Sequence, residues 1–239
     1  MQTKTGERSY PMTVKLIVAR HGNTFNKGDV ILRVGSRTNL PLTQEGIAQG
    51  LRLGENLRSA GLCPTRLFSA PLLRTLMTCE EAVKVFNVPF SIEQLDFLTE
   101  LDYGEYDGLP ETEVLRRIGE IETATQQPLV TDAEKLVEIG RTVLKRWDKE
   151  AVLPKAWKFL QPRVDSLGNQ WRDFSERLIQ TANQGSVSLA VTSNGIARFA
   201  LDILPIDAKR PESVKLSTGA FGLFVWNGKY WSLGDWDVK

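Results

Sequence analysis

The feature that most constrains the fold is Val14 to Ala19 (VKLIVA), a short, largely β-branched apolar run that leads directly into Arg20-His21-Gly22. An apolar run of this length, without alternation, suits a strand buried on both faces of a mostly parallel sheet. Such a strand carries Arg20 and His21 to its carboxyl end, the edge where open α/β sheets place their ligands. His21 is also the single histidine of the chain.

The segments that follow repeat the logic. Thr43 to Ala60 carries Ile47, Leu51, Leu53 and Leu57 among polar residues, with Thr43 as N-cap and Gly61 as stop, which predicts an amphipathic helix. Thr65 to Ser69 reads as a second strand, followed by a helix that opens with Pro71 and runs to about Phe86. From Gly104 to about Arg163 the strand signals vanish. Helix-like pieces at Glu111 to Glu122 and Asp132 to Lys149 are broken by Pro128, Pro154 and Pro162. Helical signal resumes at Val164 to Ala182, and Val187 to Thr192 is another strand, opening onto Ser193-Asn194-Gly195. Near the C-terminus, two alternating segments flank Asn227-Gly228, which predicts a hairpin closed by a type I′ turn. Trp226, Trp231 and Trp236 are expected to pack in the core.

The expected fold is therefore α/β: a three-layer sandwich with a mostly parallel central sheet, helices on both faces and an antiparallel C-terminal hairpin. Residues 1–239 read as one domain, with 105–163 as an inserted, cap-like helical segment over the ligand edge.

Thirty Lys plus Arg against 29 Asp plus Glu give a net charge of +1, which provides no overall field toward nucleic acid or anionic lipid, so any anion site must be local. Cys63 and Cys79 lack metal-like or disulfide-framework spacing and read as reduced thiols. The carboxylates show no clustered ligand pattern, so neither a metal nor another cofactor is expected. Met1 to Met12 are polar, with Pro11, and no stretch approaches the ~18 apolar residues of a membrane span. A cytoplasmic protein without a membrane partner is the expectation, with the oligomeric state open.

Arg20-His21-Gly22 combines three groups useful for phosphate chemistry. Arginine presents a planar charged fork to phosphate oxygens, a neutral imidazole can attack phosphorus, and glycine lets the backbone approach an anion closely. Composition alone places such a triplet in roughly 2% of chains this long, so the triplet by itself does not decide the matter.

Four stretches taken together do. R20-H21-G22-N23-T24-F25-N26, P41-L42-T43-Q44-E45-G46, S69-A70-P71-L72-L73-R74-T75-L76-M77-T78 and T99-E100-L101-D102-Y103-G104-E105-Y106-D107-G108 resemble, in order and spacing, the signatures of the histidine phosphatase (phosphoglycerate-mutase-like) superfamily. The resemblance covers Val14 to Gly108, returns at Val187 to Arg198 and is thin between. It implies His21 as the nucleophile that becomes phosphohistidine, Arg20, Arg74 and Asn26 as phosphate ligands, and Glu100 as the acid that protonates the leaving oxygen and later activates water. A bound phosphate and Asp102 are expected to supply the negative charge that keeps such an acid protonated. Ser69 and Thr78 are read as helix-start and packing positions.

One departure from the family stands out. Its last signature is a strand running into S-H-G, whose histidine hydrogen-bonds the transferring phosphoryl group; here the stretch is V191-T192-S193-N194-G195, which places Asn194 in that role. A neutral amide donor is roughly half as strong as an imidazolium, and losing a transition-state donor costs ~2.7–4 kcal/mol. The expectation is a phosphomonoester hydrolase slowed by Asn194. The alternatives are a non-catalytic phosphoester-binding pseudophosphatase, or a mutase-type phosphotransferase, whose characteristic stretch Lys27 to Asn39 does not reproduce. The expected partner is a small-molecule phosphomonoester or another phosphorylated substrate, and in the binding reading a phosphorylated metabolite or protein. Arg116, Arg117, Lys145 and Lys155 are read as solvated charges that could also meet an acidic substrate.

Overall fold

A computed structural model describes residues 13–87 and 89–239; the reading of Met1 to Met12 lies outside them. Six strands form one sheet: β1 (Val14–Arg20), β2 (Arg66–Ser69), β3 (Ile92–Gln94), β4 (Val187–Thr192), β5 (Phe221–Trp226) and β6 (Trp231–Leu233), in the order β3-β2-β4-β1-β5-β6. β3, β2, β4 and β1 run parallel, while β5 and β6 add on antiparallel.

Alternate residues of β1 serve opposite faces. Leu16 and Val18 join a core with Phe68, Trp171 and Phe174, whereas Ile17 and Ala19 join one with Leu53, Leu57, Cys79 and Ala82. All four β1 residues are fully buried, which accounts for an unbroken apolar run in the sequence where a half-exposed strand would alternate. Helices α1 (Gln44–Ser59) and α2 (Leu73–Val83) cover the second face, and α5 (Gln161–Gln180) covers the first. Among the described residues no helix is long and apolar enough to cross a membrane.

Between Gly104 and Arg163, α3 (Glu111–Thr123) and α4 (Ala133–Glu150) pack closely on each other. A methyl group on Gly119 would meet the Leu136 carbonyl at 2.1 Å, and one on Gly140 the Leu115 carbonyl at 2.0 Å. Trp147 and Trp157 anchor this segment in the same core as β1 and α5.

Several local expectations need correction. Pro71 precedes α2 instead of opening it, with Leu72 as N-cap. Pro162 does not break a helix but lies in the first turn of α5, where its missing N–H costs nothing. β3 was not foreseen: it is a three-residue edge strand whose Glu93 and Gln94 are exposed, so it shows no hydrophobic pattern. The hairpin forms, but Trp226 pairs with Trp231, leaving a four-residue loop. Only Gly228 there has a positive φ, +95°, and the Asn227 side chain accepts hydrogen bonds from the Lys229 and Tyr230 amides. That is an Asx-type turn and not a type I′ turn. Trp231 is buried, with Trp226 and Trp236 packed against the core as expected.

Candidate active site

His21 is buried at the end of β1, its backbone N–H on the Thr192 carbonyl of β4 at 3.0 Å. Its Nδ1 lies 2.7 Å from the Gly22 carbonyl. A carbonyl only accepts, so Nδ1 carries the proton and Nε2 keeps its lone pair. Burial, followed by the positive charges of Arg74 and Arg20, holds the imidazole pKa well below its ordinary 6.5. The ring is therefore neutral at neutral pH.

The loop that carries His21 is clamped from below. The Gly22 N–H donates to Thr78 Oγ1 at 3.0 Å, and Thr78 donates in turn to the Arg74 carbonyl. Thr43 caps α1 through the Gly46 N–H and also donates to the Asn23 carbonyl from both its backbone and its hydroxyl. A methyl on Gly22 would lie 2.4 Å from the Gly46 carbonyl, and one on Gly46 2.2 Å from the Asn23 carbonyl. Thus Thr43 and Gly46 of the L-T-x-x-G stretch, together with Thr78, which sequence reasoning read as a packing position, hold the backbone of the histidine loop against α1.

Arg20 donates from Nη1 to the Leu216 carbonyl at 2.8 Å, and Arg74 from its two terminal nitrogens to the Thr38 and Gly35 carbonyls. The Arg74 guanidinium is buried and that of Arg20 partly so, and desolvation lowers the pKa of both from the ordinary arginine value. Arg20 Nε, Arg74 Nε and the Ser193 hydroxyl are buried without a protein partner. Donors left unpaired in this way are costly, a state they share with Arg33 Nε, Trp157 Nε1 and Trp231 Nε1.

Glu100 is buried, its Oε1 accepting from the Leu101 N–H at 2.9 Å and its Oε2 from the Gly195 N–H at 3.1 Å. A methyl group on Gly195 would stand 2.0 Å from Oε1, so the glycine of S-N-G is what admits the carboxylate. Asp102, expected to lend Glu100 negative charge, is itself engaged by a cation. The Asp102 carboxylate, half exposed, binds Arg37 at 2.7 Å and the Gly104 N–H, and the hydrogen bond from Arg37 leads in lowering its pKa.

Asn194 begins the short helix α6 (Asn194–Ala197). Its Oδ1 accepts from the Leu216 N–H at 3.0 Å and its Nδ2 faces Asp148 Oδ1 at 3.4 Å. The amide is thereby fixed with its nitrogen toward Asp148. Leu216 touches both ends of the site, holding Arg20 by its carbonyl and Asn194 by its N–H.

Arg20, His21, Glu100 and Asn194 line one cavity of about 570 Å³, and Arg74 lies buried beside His21. Asn26 does not join them. It is exposed, bonds through its backbone and side chain to Asp29, and is absent from the cavity wall, where Asn23, Thr24 and Phe25 of the same loop stand. Three of the four basic residues singled out between Gly104 and Arg163 are paired on the surface: Arg116 and Arg117 with Glu113, and Lys155 with Glu122. Lys145 instead faces the cavity.

Sequence reasoning missed Arg198, which is buried, stacked 4.1 Å from the Trp147 ring centroid and bonded to the Asn194 and Trp147 carbonyls. It also missed Arg33, Glu111, Asp148 and Lys215. No local pattern marks them, because they converge from four separate stretches of chain. Among the described residues no group of three or more His, Cys, Asp or Glu side chains is placed to hold a metal ion.

An imidazole kept neutral by burial and by two arginine charges stands at the carboxyl edge of a doubly covered α/β sheet. The chain belongs to the histidine phosphatase superfamily, branch 1, whose family model matches residues 16–153. It is 31% identical over 107 residues to the 2,3-bisphosphoglycerate-dependent phosphoglycerate mutase of Rhizobium etli (44% of this chain, 50% of that protein). To the sedoheptulose 1,7-bisphosphatase of Saccharomyces cerevisiae it is 33% identical over 118 residues (44% and 41%). The matched stretch thus spans half or less of the length of these relatives. The fold resembles that of phosphoglycerate mutase from Bacillus anthracis, with a TM-score of 0.66 at 18% identity over 95% of this chain and 93% of that one. It also resembles a mycobacterial glucosyl-3-phosphoglycerate phosphatase, with a TM-score of 0.64 at 16% identity over 94% and 99%.

Proposed function

We propose that this protein hydrolyses phosphomonoesters through a phosphohistidine formed at His21. The observation that carries the reading is the state of the imidazole: Nδ1–H is committed to the Gly22 carbonyl, and burial with two arginines keeps Nε2 free of a proton. Nε2 attacks phosphorus as the ester P–O bond breaks, and Glu100 gives the leaving oxygen a proton. Water then attacks phosphorus as the P–N bond breaks, giving a proton to the Glu100 carboxylate and releasing inorganic phosphate and the neutral imidazole. Arg20 and Arg74, whose charges both act on the His21 ring, grip the phosphoryl oxygens in both steps.

In this reading Asn194 stands in the position of the family's second histidine and offers the transferring group a neutral N–H, which makes the enzyme slow. One observation favours a second reading, a phosphoester-binding protein without turnover: the Asn194 amide is engaged at both ends, by Leu216 and Asp148. The names of the sequence relatives keep a mutase-type transfer as a variant of the first.

Turnover of a generic aryl phosphate by the purified protein decides between them. Hydrolysis abolished by His21→Ala supports the covalent mechanism, since no other histidine exists to accept the group. Turnover retained in that variant overturns it, and phosphate binding without turnover selects the binding protein.

A further inference from the structure

Asp148 stands where a negative charge is doubly disfavoured. It lies in the last turn of α4, where the helix dipole opposes an anion. It also lines the same cavity as Arg20 and His21, and its charge acts on Arg20, so it opposes the entry of a phosphate. Two cations answer it: Lys215 Nζ sits 2.5 Å from Oδ2, and Nη2 of the buried Arg198 lies 3.4 Å from Oδ1. A carboxylate kept at such a position, with two cations drawn to it, serves something else nearby.

That neighbour is the Asn194 amide. Its Oδ1 accepts from the Leu216 N–H at 3.0 Å, and its Nδ2 faces Asp148 Oδ1 at 3.4 Å. A flipped amide would set oxygen against the carboxylate and N–H against N–H, so Leu216 and Asp148 together admit one orientation. The amide nitrogen carries two diverging hydrogens, of which Asp148 takes one. The other has no partner among the described residues, on a side chain that lines the cavity with Arg20 and His21. Arg198 ties the same parts together, donating from Nε to the Asn194 carbonyl while it faces Asp148.

We propose that Asp148 is a positioning residue for phosphoryl transfer: it holds the Asn194 amide with its second N–H toward the transferring group, while Lys215 and Arg198 offset its charge against the incoming anion. The assignment rests on the hydrolase reading of His21 and adds the residue through which a neutral amide is made to donate there. It fixes a sign as well. Removing a carboxylate from beside an anion site would by itself tighten anion binding, so a loss of transition-state stabilisation in its absence must pass through the amide.

The test is a double-mutant cycle on Asp148→Asn and Asn194→Ala, read in hydrolysis of an aryl phosphate and in vanadate binding. Asp148→Asn keeps the side-chain shape and removes the charge. The expected result is a kcat lowered roughly tenfold with KM unchanged or lower, a similar loss in Asn194→Ala, and a double variant no slower than Asn194→Ala. Losses that multiply in the double variant, or a kcat unchanged or raised in Asp148→Asn, overturn the assignment and leave the hydrolase reading intact. Should Asp148→Asn fail to fold, the native protein carries the test by NMR: one of the two Asn194 side-chain amide protons, identified by their loss in Asn194→Ala, should shift as vanadate saturates the site. No shift at saturation overturns the assignment. Absence of turnover in the native protein overturns the hydrolase reading, and the cycle read in vanadate binding then judges Asp148 alone: non-additive losses of affinity support it, and additive losses or a gain in Asp148→Asn overturn it.

Discussion

The floor and the roof of the cavity are built on different physics. The floor, from His21 to Gly22 with Arg74, Thr78, Thr43 and Gly46, is buried, and it is held by backbone hydrogen bonds and by contacts too close to admit a methyl group. The roof, on α3 and α4, meets the cavity with the charged side chains Glu111, Arg141, Lys145 and Asp148, of which Arg141 pairs within its own helix while Glu111 and Asp148 pair with Arg33 and Lys215. Geometry in the floor is fixed to fractions of an ångström, so it can host a reacting atom. Charges in the roof are partly exposed, so solvent and salt screen them.

The strongest contrast should come from stability. Gly46→Ala places a carbon against the Asn23 carbonyl and should cost about 3 kcal/mol in denaturant unfolding despite alanine's better helix propensity, whereas Arg116→Ala on the roof should stay within about 0.5 kcal/mol. Equal losses would remove the distinction between the two regions. Arginine chemistry gives the next largest effect. Arg74→Lys cannot span both the Thr38 and Gly35 carbonyls, and Arg20→Lys loses the planar fork, so vanadate or phosphate affinity should fall by roughly 10² in each. Unchanged inhibition constants in both variants would place the anion elsewhere.

A gain is expected at the boundary between floor and roof. Asn194→His puts an imidazole beside Asp148, a neighbour that favours its protonated form, and kcat/KM for an aryl phosphate should rise by roughly tenfold to 10², most on the acid side. Absence of a gain at any pH, in a protein that already turns over quickly, would show that the amide belongs to a different geometry.

The smallest effect concerns the proton on His21. Its pKa is lowered in the fold, so the unfolded chain takes up the proton first as pH falls. This group's contribution to stability is thus intact above pH 6.5 and declines as pH drops below it toward the folded value. As the single histidine it can be followed alone by NMR. Its midpoint should lie well below 6.5 in the free protein and rise when inorganic phosphate binds; a midpoint at or above 6.5 in the free protein would contradict the buried, arginine-flanked imidazole.

The same division explains what the sequence revealed. A strand end and a cap each require particular residue types within a few positions, so Arg20, His21 and the α1 cap were legible from local order, whereas Arg74 and Glu100 were singled out only through the motif spacing that resembles the family. Asn26 misled because the motif spacing is kept while the loop turns its side chain toward Asp29. β3 was invisible because an exposed edge strand of three residues has no hydrophobic face to betray it. Asp148, Lys215 and Arg198 were illegible for another reason: they meet only through tertiary packing, and the pairing of Asp148 with Lys215 joins residues 67 positions apart.

The central claim is that His21 becomes covalently phosphorylated. The most direct test is to mix the protein with an aryl phosphate labelled at phosphorus, quench in denaturant, and follow the protein-bound label in acid and in alkali. The account predicts label that is lost in acid, survives in alkali, maps to His21 and is absent from His21→Ala. Turnover without bound label under rapid quench, or label that persists in His21→Ala, would contradict it.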